Sequence, residues 1–496
     1  MIRLVFVAGL LGAFVALALY ATKVMYVSLL PLGVALFLPA LLVKNFRLYW
    51  LSILLLTLEF PISKNLNDGL AVVERLQIDY TIWNFTFEVT ATDLVLVILV
   101  VIWINDALFH RKAFRFPKIT WLAVGYLGMA LLSTFGAAST YLGMVEIARQ
   151  IKVLIVYLYA VNCLDSKGFL RVLVILAVTI LFTQAAATAI RFETGYLTPL
   201  TLGQGHEDLS QIEQYLMVDR SDEGSAVRAF GTLNSPGSTV RLCMMVIPFV
   251  MFLCAPNPVV KRRWPFLFCS VFGVLGLSLT FTRVYYVTTA VQVLLVLLMM
   301  LRDHKLKREE IITLAVVSVL ALGAVSPKLY KQFTVRKDSV SVRFLQYRAA
   351  TKMIIAHPLL GVGLNNSTGE KSKYSNITYN KYDPESQFDS EPTHNLYLSL
   401  TSEIGVIGAA LFFTFFAKVT LICWRESYSS DPEIQFLASA LFVTFCGVAV
   451  NGLMDPLQEY PVLVLLWMYA GLALNLKWIQ EQEVSLTQYA PGSGEN

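Results

Sequence analysis

Charged residues are scarce in this chain, and their scarcity excludes the soluble fold classes. Asp, Glu, Lys and Arg make up 15% of the 496 residues, whereas a soluble domain carries about 25%. Hydrophobic residues make up 56%. They are spread along the whole chain in runs of about 17–25 residues, the length at which a helix crosses a bilayer. The composition therefore predicts a polytopic membrane protein surrounded by lipid.

Cysteine is also rare, and its placement excludes two further classes. The six cysteines lie in or beside apolar runs, and no two of them form a CxxC pair. This pattern argues against a disulfide framework and against a structural zinc site. The net charge is only +5, and no stretch interleaves basic and aromatic residues, so nucleic-acid binding is not expected.

The hydrophobic runs define about 14 candidate membrane spans by the length rule. We expect the first run to be a retained helix and not a signal peptide, because a second run follows it at once. The predicted fold is all-α, a polytopic helical bundle. The candidate spans lie near 4–21, 25–43, 48–62, 91–109, 119–137, 148–164, 169–191, 238–255, 264–281, 284–301, 309–325, 396–420, 434–452 and 460–478.

Lysine and arginine in the short loops predict the orientation. With the N-terminus inside, every strongly basic short loop falls on the cytoplasmic side, as the positive-inside rule requires. The outer side then receives the loops near 63–90, 192–237 and 326–395. We divide the chain into N-terminal membrane helices, a membrane core that includes the third of these loops, and a disordered cytoplasmic tail. These parts are residues 1–224, 225–480 and 481–496.

Three arginines and one histidine fall at the predicted outer face. Arg283 lies between two apolar runs with almost no loop. Arg343 lies near the start of a short amphipathic helix predicted at 343–355, where the helix dipole disfavours a cation. Arg228 precedes one span, and His394 precedes another. Each has a simpler interpretation when taken alone, because arginine can extend to the interface and histidine can bond to backbone.

Together these residues indicate recognition of a lipid diphosphate. Arginine binds phosphate oxygens in bidentate fashion. The outer face has no nucleotide pool, so a group transfer there needs a donor that is already activated. A glycan linked to a polyprenyl diphosphate fits, because arginines would neutralise the leaving diphosphate. His394 would be the general base for the acceptor hydroxyl, and neighbouring arginines would favour its neutral form.

A metal site is the alternative use of the polar 192–237 loop. The spacing of its acidic residues fits neither a zinc signature nor an EF-hand. A solvated acidic loop is therefore expected, with no metal and no other cofactor. The residues concerned are His206, Glu207, Asp208, Asp219, Asp222 and Glu223.

Four segments resemble the O-antigen ligase and polymerase superfamily of bacterial envelope glycosyltransferases. In chain order they are GTLNSP at 231–236, Thr282-Arg283, Arg343 and Tyr347 with HPLLGVG at 357–363, and HNLYL at 394–398 with EIGVIG at 403–408. The last segment is the most specific, and the resemblance covers roughly residues 225–475. The family more often has Ser and Trp where this chain has Thr282 and Tyr347.

The resemblance implies a helical fold of the lipid-sugar glycosyltransferase (GT-C-like) type, with metal-independent, inverting chemistry. By it, Arg283 and Arg343 would hold the donor diphosphate while His394 activates the acceptor. We expect Glu403 to pair with a neighbouring helix and brace the site. The remaining expected site residues are Arg228, Tyr347, Arg348, Asn395 and Tyr397 for substrate binding and positioning, and Gly361 and Gly363 for structural support.

The predicted function is glycan transfer from an undecaprenyl-diphosphate-linked donor to a glycan acceptor at the periplasmic face of the bacterial inner membrane. A polymerase of O-antigen, capsule or exopolysaccharide is slightly favoured over a ligase onto lipid A core. A transporter of lipid-linked oligosaccharide is less favoured, because ionisable residues are nearly absent from the span centres. A non-catalytic subunit would leave the histidine and arginines without a role. Co-polymerase or export proteins are candidate partners; the sugar, its linkage and the acceptor stay open.

Overall fold

Helices account for most of the residues that the computed structural model of the chain describes. Many of them begin at a Ser, Asn or Asp cap or at a proline in the first turn, as helices commonly do. The structure describes residues 43, 45–60, 63–65, 86–109, 113–194, 229–233, 235–255, 262–303, 338–375 and 392–489.

The N-terminal part combines helices with one short antiparallel strand pair. Its elements are α1 Phe46–Thr57, β1 Ser63–Asn65, β2 Glu88–Thr90, α2 Ala91–Phe109, α3 Thr120–Phe135, α4 Thr140–Cys163 and α5 Lys167–Thr194. The strands pair with Lys64 opposite Val89. The all-α prediction missed this pair, because three-residue strands are too short to show the alternation that marks a strand.

The C-terminal part is helical throughout the residues that the structure describes. Its elements are α6 Pro236–Met244, α7 Ile247–Phe252, α8 Trp264–Ser278, α9 Arg283–Arg302, α10 Asp338–Ala356, α11 Ser367–Tyr374, α12 Leu396–Glu426, α13 Pro432–Gly452, α14 Tyr460–Ala473 and α15 Leu476–Tyr489.

Five helices within the described ranges are long and apolar enough to cross a membrane, and α14 with α15 form a bent pair that passes the same test together. The other candidate spans on described residues also carry helices, which are shorter, broken or more polar. The candidates near 4–21, 25–43 and 309–325 lie outside the described residues. The structure thus confirms a helical membrane protein, and the total of about 14 spans stays a prediction. The five are Ala91–Phe109, Lys167–Glu193, Arg283–Arg302, Leu396–Glu426 and Pro432–Gly452.

Large apolar side chains are exposed in stripes along the outside of the bundle. On α2 the exposed residues follow the three- and four-residue spacing of a single helix face. Continuous apolar patches of this kind are rare on soluble proteins, whereas in a bilayer they meet hydrocarbon. The stripe therefore supports a lipid-facing position for α2. Its members are Leu94, Val97, Val101, Ile104 and Leu108.

An aromatic cluster forms the core where α12 and α14 meet α3 and α4. Trp467 of α14 is buried and stacks on Phe415, with ring centroids 5.2 Å apart. The ring of Tyr157 meets the same indole edge-on at 5.9 Å. Gly471 permits the close crossing of α14 and α4, because a Cβ there would lie 2.6 Å from the carbonyl oxygen of Tyr157. Small residues are the usual means of close packing between membrane helices.

Polar contacts join the predicted cytoplasmic loops at one end of the bundle. Lys167 at the start of α5 pairs with Asp431 before α13 at 2.6 Å. Arg302 at the end of α9 donates to the carbonyl of Ser427, just after α12, at 2.9 Å. The charge rule had assigned all of these loops to the cytoplasmic side. Because the contacts place them at one end of the bundle, the structure agrees with the predicted up-and-down order of these helices.

Two helix boundaries differ from the prediction. α4 begins at Thr140 and not near 148, because the Ser139 hydroxyl caps it by accepting the N–H of Leu142 at 3.4 Å. α15 continues as a helix to Tyr489, where the chain from 481 onward was expected to be disordered. Residues beyond 489 lie outside the described part of the chain.

Candidate active site

His394 lies in the turn that leads into α12, and its neighbours tie this turn to the end of α13. Asn395 caps α12 by accepting a backbone N–H of the first turn at 2.9 Å. Its amide nitrogen donates to the carbonyl of Leu453 at 3.0 Å, and the Tyr397 hydroxyl donates to the carbonyl of Ala449 at 2.9 Å. The polar groups of Asn395 and Tyr397 therefore bind backbone, which is the contact expected of positioning residues.

Two residues of α10 hold the backbone of His394 from the other side. The side-chain amide oxygen of Gln346 accepts the N–H of His394 at 3.0 Å, and the Tyr347 hydroxyl donates to the carbonyl of His394 at 2.8 Å. Tyr347 was predicted as a site residue and Gln346 was not, although the two are adjacent. The helix that carries them, predicted over 343–355, runs from Asp338 to Ala356.

The imidazole of His394 meets a carboxylate that sequence reasoning did not find. Its Nδ1 lies 3.0 Å from Oδ1 of Asp455, in the loop between α13 and α14. The histidine side chain is 25% exposed, so solvent and substrate can reach it. An ionised Asp455 accepts a proton-bearing Nδ1, and this fixes Nε2 as the nitrogen that can take a proton.

Asp455 is ionised at neutral pH in this arrangement. Burial by itself would raise the pKa of its carboxyl, but Arg241, His394 and Arg343 together hold that pKa below its ordinary value. The environment of His394 is therefore mixed. A nearby cation favours a neutral imidazole, whereas a carboxylate in the position of Asp455 favours the protonated form.

Arg241 and Glu459 complete a charged chain behind His394. Arg241 is a buried residue of α6, and it binds the second carboxylate oxygen of Asp455. It also donates through Nε to Glu459 at 2.7 Å. None of these residues was predicted. The available signal was the pair of acidic residues in the short loop at 453–459, between two apolar runs.

The predicted arginines reach the site to different degrees. Arg343 is half-buried and close enough to Asp455 to help lower the pKa of that carboxyl. Arg348, on the same helix, is exposed. Arg228 lies outside the described residues. The roles assigned to these arginines stay predictions.

Arg283 begins α9 at the same end of the bundle as His394. α9 crosses α13 where Gln292, near the middle of α9, fills the space left by Gly447, toward the C-terminal end of α13; a Cβ on the glycine would lie 2.3 Å from Nε2 of that side chain. From this crossing, α9 runs back to Arg283 and α13 runs forward to Gly452, toward one shared end. Arg283 is half-buried there.

The HPLLGVG segment docks into a break in α12. Gly405 has a φ of 73°, which interrupts the helix. Backbone groups that lose their helical partners at this break form hydrogen bonds to the HPLLGVG segment instead. The N–H of Gly363 donates to the carbonyl of Glu403 at 3.0 Å, and the N–H of Val406 donates to the carbonyl of Pro358 at 2.8 Å. Gly361, also at positive φ, has no space for a side chain, since a Cβ would lie 2.3 Å from the carbonyl carbon of Glu403.

Glu403 binds the stretch that follows this segment. Its carboxylate accepts the Ser367 hydroxyl at 2.6 Å and the N–H of Asn365 at 3.1 Å. The expected contact with a neighbouring helix is thus made to the first residue of the short helix α11. The arrangement ties α11 and the preceding turn to α12, and a bracing role for Glu403 stays a prediction.

Residues 229–413 match the family model described as O-antigen ligase. The chain carries an O-antigen ligase domain. The match contains Arg283, Arg343, His394 and Glu403, in agreement with the resemblance of their motifs, so the predicted superfamily is confirmed. It supports a membrane glycosyltransferase activity of the ligase or polymerase type. A search of curated proteins found no match to the chain.

The loop that carries Asp455 lies beyond the matched O-antigen ligase domain, and helices that precede the match in the chain support it. Arg149 of α4 donates to the carbonyl of Gln458. The Tyr460 hydroxyl lies 2.5 Å from Oδ1 of Asp93 at the start of α2. The N-terminal helices thus help to hold the partner of His394.

Metal-binding side chains are not clustered in the part of the chain that the structure describes. No group of three or more His, Cys, Asp or Glu residues there could hold a metal ion. The acidic residues considered in the 192–237 loop, from His206 to Glu223, lie outside the described residues.

Proposed function

We propose that this protein transfers glycan from an undecaprenyl-diphosphate-linked donor to a hydroxyl of a glycan acceptor. The reaction would take place at the periplasmic face of the bacterial inner membrane, without a metal ion and with inversion at the anomeric carbon. The product would be a growing O-antigen, capsule or exopolysaccharide chain. The O-antigen ligase domain supports the reaction class.

The pairing of His394 with Asp455 is the observation that carries this proposal. A histidine bonded through Nδ1 to a carboxylate, at 3.0 Å, is the arrangement of a general base whose tautomer and orientation are fixed. Half-buried cations at the same end of the bundle, Arg343 and Arg283, would supply the positive charge that a diphosphate needs.

In the proposed reaction, Nε2 of His394 removes the proton of the acceptor hydroxyl as its oxygen attacks the anomeric carbon of the donor. A glycosidic C–O bond forms while the C–O bond to the diphosphate breaks. Undecaprenyl diphosphate leaves with the bonding electron pair, and the proton stays on His394 until solvent takes it. Asp455 stabilises the imidazolium that forms in this step.

The arginines act on the other side of the anomeric carbon. Arg283 and Arg343 would bind the diphosphate and neutralise the charge that develops as it leaves. Arg228 and Arg348 would add to this cationic surface. Tyr347, with the caps at the start of α12, would hold His394 in place.

Ligation onto lipid A core is the second candidate, and the description of the family model favours it. The glycan profile of a deletion strain separates the two reactions. Single repeats on core would indicate a lost polymerase, whereas uncapped core with accumulated lipid-linked polymer would indicate a lost ligase.

Replacement of His394 tests the proposed mechanism. Loss of a general base reduces rates by roughly 10²–10⁴-fold, so His394→Ala should abolish detectable glycan transfer in a complemented deletion strain. The protein should still insert, because the side chain is partly exposed and its backbone contacts remain.

His357→Ala is the matched control, since His357 is exposed and its ring binds only the Tyr374 hydroxyl among the contacts described, at 2.8 Å. That variant should keep most of its activity. Glycan of normal length and amount in the His394→Ala strain would overturn the mechanism.

A further inference from the structure

Arg241 bridges two carboxylates directly behind the candidate base. One terminal nitrogen binds Asp455, the other binds Glu459, and Nε donates to Glu459 at 2.7 Å. The arginine is only 8% exposed. A planar guanidinium can satisfy two carboxylates at fixed angles, which an ammonium group cannot. The contact therefore determines how Asp455 is oriented.

Residues close to Arg241 in the sequence help to accommodate its guanidinium and to hold its partner. Gly237, one turn earlier on α6, leaves room for the guanidinium, because a Cβ there would lie 3.0 Å from its Nη2. The Ser238 hydroxyl donates to the same Glu459 carboxylate at 3.2 Å. Ser235 caps α6 by accepting the N–H of Ser238 at 3.0 Å. The arginine is thus held by its own helix as well as by its partners.

The two oxygens of Asp455 have separate partners. Oδ2 binds Arg241, and Oδ1 lies 3.0 Å from Nδ1 of His394. With Oδ2 occupied, the carboxylate cannot rotate away from the imidazole without breaking an ion pair. This is the geometric condition for a fixed histidine tautomer.

Other charges also act on this pair. Arg343 of α10 lies close enough to lower the pKa of the Asp455 carboxyl, and Glu459 offsets part of the charge of Arg241. Arg149 and Glu146, paired on α4 at 3.0 Å, face the same loop, where Arg149 binds the carbonyl of Gln458. Arg241 is the one among these whose hydrogen bond reaches Asp455 directly in the described structure.

We infer that Arg241 is a positioning residue, which holds Asp455 against His394 and limits how strongly that carboxylate favours the protonated imidazole. It would thereby set the lowest pH at which the base is competent. This inference rests on the proposed function, because it assigns a task to Arg241 only if His394 is the base.

Arg241→Lys separates contact geometry from charge. The lysine keeps a positive charge but cannot bridge both carboxylates, so the charge of Asp455 is offset less fully, which affects the pKa of His394, and its orientation is less well fixed, which affects the rate. We expect the acid limb of the pH–rate profile to move to higher pH, by on the order of half a unit to one unit. The rate at the plateau should fall roughly 10- to 100-fold.

Glu459→Gln is the second variant, and the expected shift has the opposite sign. Removal of this carboxylate leaves Arg241 to act on Asp455 alone, so the protonated imidazole is disfavoured. The acid limb should then move to lower pH. This variant also keeps the inference testable if Arg241→Lys does not accumulate in the membrane.

The measurement is the release of undecaprenyl diphosphate, over a series of pH values, in membranes of the deletion strain that express each variant. Such membranes hold both donor and acceptor. Arg171→Lys is the control, because Arg171 forms an ion pair with Glu433 at 2.6 Å at the opposite end of the bundle and its side chain is 59% exposed. Its profile should match that of the unaltered protein.

The outcomes separate the two proposals. Wild-type rates and acid limbs in Arg241→Lys and Glu459→Gln, together with an inactive His394→Ala, would overturn the role of Arg241 and leave the function standing. If the variants accumulate in lower amounts but the acid limbs of their pH–rate profiles do not shift, Arg241 has only a structural role. Activity retained in His394→Ala would overturn the proposed function itself.

Discussion

His394 acquires its candidate role from neighbours that are distant in the sequence. A histidine before an apolar run is an ordinary interface residue until its contacts are known. Asp455 fixes its ring, while Gln346 and Tyr347 fix its backbone. The motif around His394 was sufficient to single it out, but only the fold could supply Asp455 and Arg241. The sequence around Asp455 and around Arg241 does not indicate which residues they contact.

Arg283→Lys tests whether this side chain binds the diphosphate. The ammonium group keeps the charge but loses the planar fork that matches two phosphate oxygens. We expect transfer to fall by roughly 10-fold or more, because a charge-assisted bond of about 1.5–3 kcal/mol is weakened. The measurement is polymer or capped lipid A in the complemented deletion strain, with the protein quantified in membranes.

Arg262→Lys is the control for that substitution. Arg262 is exposed before α8, at the end of the bundle opposite His394, and the change there should have no effect. Full activity of Arg283→Lys would show that the fork is not needed at this position.

At the scale of elements, sequence periodicity predicted where helices lie but not where one breaks. The run from 396 to 420 is predominantly apolar, and a glycine within it does not by itself indicate an interruption. The break at Gly405 exists because the HPLLGVG segment supplies alternative hydrogen bonds. Gly361 and Gly363, expected to give structural support, have positive φ values of 69° and 106°; the docking partner of their segment could not be predicted.

Gly405→Ala should disrupt this docking. The residue has a φ of 73°, and a Cβ would lie 2.1 Å from the carbonyl oxygen of Leu359. Backbone strain of this kind costs about 1–3 kcal/mol before any clash is relieved, so the purified protein should unfold at a lower temperature in detergent.

Gly128→Ala is the matched control for this effect. Gly128 lies in α3, and a Cβ there meets no atom within 4 Å, so its unfolding temperature should be unchanged or slightly higher. Equal unfolding temperatures for Gly405→Ala and the unaltered protein would mean that the break does not depend on the glycine.

At the scale of the whole molecule, the two ends of the bundle differ in how they hold charge. The His394 end contains buried charged residues, among them Arg241, Glu146 and Glu403. The opposite end carries more exposed pairs, such as Arg171 with Glu433. Buried charges are costly in a membrane protein and usually mark functional sites. Within the described residues, the asymmetry supports a reaction site at the His394 end, which the charge rule predicts to lie outside.

Thiol labelling tests this sidedness directly. Arg348 and Lys477 are exposed cations on helices at opposite ends of the bundle. In a variant without native cysteines, a cysteine introduced by Arg348→Cys should react with a membrane-impermeant maleimide once the outer membrane is permeabilised. One introduced by Lys477→Cys should react only after the inner membrane is broken, because the positive-inside rule places that end in the cytoplasm. The reverse pattern would put the His394 site on the cytoplasmic side, where a lipid-linked donor that has already been translocated could not reach it.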